Sequence, residues 1–137
     1  MSWWLAGLIA GVVAYVADWV MWSKVFTKGM EAYADRPPAG QPTNLTPMLV
    51  KAGVLALVYG VVFAFIYRHF MDHLWTSAGV LGAMELATTL WLPLAFACVG
   101  SNVWYTKARN LMNAQMWAWL VRMNAAGVVV GLLVRSL

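Results

Sequence analysis

The chain has 137 residues, of which 63% are hydrophobic and only 10% charged. A soluble domain carries about 25% charged residues, so this composition excludes an ordinary water-exposed globular surface. The net charge of +4 then points to basic loops at an anionic leaflet and not to nucleic acid.

Four apolar stretches fill most of the sequence, at roughly residues 3–22, 48–67, 78–98 and 116–134. A hydrocarbon core of ~30 Å takes ~20 apolar residues at the helical rise. The expected fold is therefore all-α and integral to a membrane: a single domain over 1–137, with four transmembrane helices in a compact bundle. The first stretch does not read as a signal peptide. No Lys or Arg precedes it, and its apolar run exceeds the ~7–15 residues of a signal core.

Asp18 lies near the inner end of the first span. A cytoplasmic loop over about 24–47 follows. Lys24 to Asp35 has apolar residues at helical spacing and reads as an extension of the helix or a short surface helix. The Pro37-Pro38 stretch is irregular by necessity, and Thr46-Pro47 reads as an N-cap and first helical residue. Lys51 follows early in the second span, which ends in His69-Phe70-Met71-Asp72-His73. Histidines four apart share a helix face, but two ligands make a poor metal site, so neither metal nor cofactor is expected.

Glu85 stands several residues into the third span, with Thr88, Thr89 and Pro93 after it. A lone buried carboxyl there suits either a proton-coupled site or a hydrogen bond to a neighbouring helix. Ser101 and Asn102 close the third span, and Arg122 and Asn124 lie inside the fourth. Intramembrane charge is costly, so Asp18 and Arg122, of opposite sign and similar depth, are expected to approach one another. Asp18, Lys51, Asn102, Arg122 and Asn124 form a candidate polar cluster in the cytoplasmic half, and Glu85 stands apart as a further candidate toward the outer side. The cluster serves either an ion or solute step or the fixing of helix register.

Lys24, Lys28, Arg36, Lys51, Lys107 and Arg109 lie on one side, against Arg68 and Arg135 on the other. The positive-inside rule places both termini outside. Trp3, Trp4 and Trp75 mark the outer interface and Trp22, Trp104, Trp117 and Trp119 the inner one, with Trp91 packed between helices. Small residues recur at four-residue spacing in every span: Gly7/Gly11, Ala52/Ala56/Gly60/Ala64, Gly79/Ala83/Ala87 and Gly127/Gly131. Such stripes allow close backbone approach. A faint repeat matches Gly11 with Gly82, Gly60 with Gly131 and Leu49-Val50-Lys51 with Leu120-Val121-Arg122. It suggests two parallel helical hairpins.

Asp18-Trp19, Trp22 and Lys24-Val25-Phe26 after the first span, with Gly79-Val80-Leu81-Gly82 opening the third, resemble small bacterial four-span inner-membrane families of unknown function. The resemblance implies fold and location but no site residues. The expected role is that of a non-enzymatic inner-membrane protein, either a homo-oligomer or an accessory subunit of a larger membrane complex. A small oligomeric transporter or channel is the alternative, and a metal-dependent membrane enzyme a further one.

Overall fold

The computed structural model describes residues 1–25 and 46–134. It is built from four long helices: α1 (Trp3–Val20), α2 (Thr46–Phe70), α3 (Val80–Trp104) and α4 (Arg109–Leu133). A π-helical turn, Met21–Val25, extends α1, and 3-10 turns, Met71–His73 and Thr106–Ala108, follow α2 and precede α4. No strand occurs among the described residues. The four helical segments are each long and apolar enough to cross a bilayer. By length and composition they are the helices of an integral membrane protein.

The helices run longer than the apolar stretches. The largest difference is at α4, which begins at Arg109 and not near Met116. The stretch Asn110–Gln115, in which Asn110, Asn113 and Gln115 alternate with apolar residues, is helical, since a helix satisfies its own backbone donors whatever its side chains. Asn102 Nδ2 donates to Asn113 Oδ1 at 2.8 Å and ties this early turn of α4 to the end of α3. Trp117 and Trp119 consequently stand two turns into α4. Thr46 is itself the first helical residue of α2, one position later in role than the expected cap. The remainder of the expected cytoplasmic loop, 26–45, lies outside the described residues.

Packing follows the glycines. A side chain at Gly7 would meet the backbone of Gly60 and Val61, and one at Gly11 the backbone of Ala56 and Leu57. α1 and α2 are thus an antiparallel pair in near-backbone contact. α3 and α4 repeat the arrangement: Gly127 faces Ala83 and Ala87, and Gly131 faces Gly79 and Val80. The two sets of contacts correspond, to within one or two residues, at the offset that relates Gly60 to Gly131. The small-residue stripes are therefore used inside two similar hairpins.

The hairpins join through α1 and α4, which pack along each other. The spatial order is α2, α1, α4, α3, so that α2 and α3 are the outer helices. α2 meets α4 only over a short stretch. The core that runs through the assembly is largely Ala, with Phe63, Tyr67, Met71, Leu86, Met123 and Val130 as its larger members. Large apolar side chains such as Leu55, Leu81, Phe96 and Val103 are exposed, as expected of surfaces that face lipid.

Candidate functional site

Asp18 and Arg122 come together where α1, α2 and α4 meet. Arg122 Nη1 lies 3.6 Å from Asp18 Oδ2, and the two side chains are 11% and 26% exposed. Asp18 Oδ1 also accepts a hydrogen bond from Trp22 Nε1 at 3.1 Å, one turn further on. The π-helical turn at Met21–Val25 carries that indole. The early start of α4 places Arg122 about midway along the helical segment Thr106–Leu133.

The guanidinium is boxed by aromatic rings. Its Cζ stands 4.2 Å from the centroid of Trp119 and 5.8 Å from that of Tyr59. Trp119 is one turn before Arg122 on α4, so both side chains share a face. Tyr59 comes from α2 and is edge-on to Trp119 at 5.9 Å, and its ring stacks on Phe63 at 6.1 Å. Cation–π contact stabilises a desolvated guanidinium by about 2 kcal/mol. The ring faces thus supply some of the stabilisation that a 3.6 Å ion pair leaves wanting.

Two polar atoms of this junction are buried without a hydrogen-bond partner among the described residues: Tyr59 Oη and Arg122 Nε. Buried tyrosine hydroxyls ordinarily find a partner, and each unmet group costs about 1–3 kcal/mol. Two on adjacent side chains leave uncompensated polarity around the charge, among the described residues.

The other expected site residues go elsewhere. Lys51 is exposed and makes no bond to the cluster. Asn124 turns toward α3, with its Nδ2 donating to Leu120 O at 2.9 Å and reaching Thr88 Oγ1 at 3.5 Å. Asn102 belongs to the α3–α4 seam through Asn113, with its own Oδ1 buried and unpartnered among the described residues. In the same seam Trp91 Nε1 donates to Met116 O at 2.8 Å, so Trp91 is packed between helices.

Glu85 is a loop clamp. Its carboxylate accepts the backbone N–H of Trp75 at 2.8 Å, the N–H of Thr76 at 2.7 Å and the Thr76 hydroxyl. On the other side of this connection the Tyr67 hydroxyl accepts from Gly79 N at 2.7 Å and donates to Gly79 O at 3.2 Å. Gly79 has φ +130°, a conformation that suits only glycine. The short α2–α3 connection is therefore fastened at both ends, with the Trp75 side chain 99% exposed at its tip.

His69 Nδ1 is hydrogen-bonded with Phe65 O at 2.9 Å. Among the described residues no three His, Cys, Asp or Glu side chains converge as metal ligands. Sequence reasoning found Asp18 and Arg122 and missed Trp22, Tyr59 and Trp119. Trp22 and Trp119 carry a signal, since they stand four and three positions from the charged residues. Tyr59 carries none, because its place depends on how α2 and α4 cross.

The fold and the cluster define an all-α protein with four helices of membrane-span type and a part-buried charged pair where three of them meet. No known protein family, curated protein or solved structure matches the chain.

Proposed function

We propose that this chain is a non-enzymatic inner-membrane protein that works within a larger membrane assembly, as a homo-oligomer or as an accessory subunit. The observation that carries this reading is the open order α2, α1, α4, α3. Each outer helix packs mainly against one neighbour, α2 on α1 and α3 on α4, and four helices so ordered do not surround a central path. Lys24, Lys51, Lys107 and Arg109 at one end of the helices, against Arg68 at the other, support a cytoplasmic position for the α3–α4 connection and external termini. Native mass measurement after extraction in mild detergent tests the proposal. A stable oligomer or hetero-complex is the expected result, and a monomer that co-purifies with nothing would overturn it.

A second reading, a small oligomeric transporter, is favoured by the Asp18–Arg122 pair. Ionisable residues well inside a span commonly mark solute or proton routes. It predicts solute flux in proteoliposomes that Asp18→Asn abolishes while the oligomer remains intact. Flux that survives in Asp18→Asn would remove this reading.

A further inference from the structure

We propose that the junction of α1, α2 and α4 binds the uncharged carbonyl oxygen of a membrane-dissolved molecule, with Arg122 Nε and the Tyr59 hydroxyl as its donors. This goes beyond the assembly role and does not depend on it. Both donor atoms are buried and unpartnered among the described residues, and the Tyr59 ring lies 5.8 Å from the guanidinium carbon. A guanidinium nitrogen can only donate, and a phenol can donate, whereas a carbonyl oxygen has two lone pairs to receive them. Charge selects the same chemistry. Asp18 already neutralises Arg122, so an anion would have to displace it, and a cation would meet the guanidinium.

The surroundings select an apolar or aromatic body. The Trp119 ring lies 4.2 Å from the guanidinium, and Tyr59 and Trp119 are both half-buried. Asp18 is 26% exposed and α2 and α4 meet only briefly, so the junction is reached from its Asp18 edge, and the two donors, closed off in this structure, are uncovered when the Tyr59 and Trp119 rings part. The junction's place between helices long and apolar enough to cross a bilayer makes the bilayer the source of what enters. Two sources share the required carbonyl: the ester of a bilayer lipid, and a free membrane-soluble quinone.

The test uses the full chain in an ester-free maltoside detergent. Three probes are titrated: duroquinone, a diacyl phosphatidylcholine with 13C-labelled ester carbonyls, and the dialkyl ether phosphatidylcholine that lacks them. Isotope-edited infrared spectra are expected to show saturable binding of one carbonyl probe, with its band displaced to lower frequency by the two donors. Saturation by the quinone alone assigns a free compound, and by the ester lipid but not the ether lipid assigns the bilayer. Tyr59→Phe, which keeps the ring on Trp119, should weaken the saturating probe by about fivefold to tenfold, the loss of one hydrogen bond. Failure of both carbonyl probes' bands to move saturably would overturn the proposal, and this wild-type readout stands even where the variant fails to fold. Equal affinity in folded Tyr59→Phe would overturn it as well.

Discussion

A charge inside a span has to be matched where it lies, and Arg122 is matched incompletely. One terminal nitrogen faces Asp18 at 3.6 Å, the plane faces two rings, and Nε has no partner among the described residues. Removing Asp18 leaves the guanidinium with aromatic faces alone. Asp18→Asn should therefore destabilise the protein by about 1–3 kcal/mol, below the cost for a sealed pair because Asp18 is partly exposed. Arg122→Gln in the Asp18→Asn background should restore part of the loss. Reversible unfolding in mixed micelles measures the cycle, and a coupling under about 0.5 kcal/mol would show that the pair does not act as one. Glu85 poses the opposite case, a carboxylate fully engaged by a loop. Glu85→Gln keeps the shape but loses the charge that strengthens those bonds. Hydrogen exchange at the Trp75 and Thr76 amides should accelerate by about tenfold, with the amides of α1 unchanged. Unaltered exchange at both would mean that the clamp adds nothing to the loop.

At the scale of the helices, glycine separates contacts that look alike in the sequence. A methyl group at Gly60 would strike the backbone of Gly7 and Gly11, whereas at Gly53 and Gly100 it would meet nothing within 4 Å. Backbone cannot yield as a side-chain tip can, so Gly60→Ala must push α1 and α2 apart. It should cost about 2–4 kcal/mol, in the range of core overpacking or beyond. Gly53→Ala and Gly100→Ala should stabilise by up to about 1 kcal/mol, because alanine is the better helix former. Thermal unfolding of the three variants checks the order; Gly60→Ala as stable as Gly53→Ala would mean that the close approach does not hold the first hairpin. The stripes Gly7/Gly11 and Gly127/Gly131 were readable because four-residue spacing puts small residues on one face. Which stripe meets which was not, since Gly53 and Gly100 are equally small. Apolar run length located all four spans but not the start of α4, because Asn110, Asn113 and Gln115 interrupt the run without interrupting the helix. Asp18 and Arg122 were legible as a pair from charge and depth. The role of Glu85 was not, as it needs the path of the Leu74–Gly79 connection.

The whole molecule is two like hairpins laid side by side and joined through the first and last helices. The two ends of the row differ in charge. At the end where α1 and α3 finish stand Lys24, Lys51, Lys107 and Arg109, and at the other end Arg68 stands with Asp72. Retaining positive charge on the cytoplasmic side favours the first end inside, and near each span the contribution is about 1 kcal/mol per residue against an anionic leaflet. Trp104 is exposed near that end, and Trp4 and Trp75 are exposed at the other. Cys98, the one cysteine of the chain, is buried and is replaced by Ala for labelling. In that background Ser2→Cys should react with a membrane-impermeant maleimide added to intact cells. Thr106→Cys, in the turn between α3 and α4, should react only after the membrane is opened. Labelling of Thr106→Cys from outside, with Ser2→Cys protected, would reverse the orientation and with it the side from which any partner must approach.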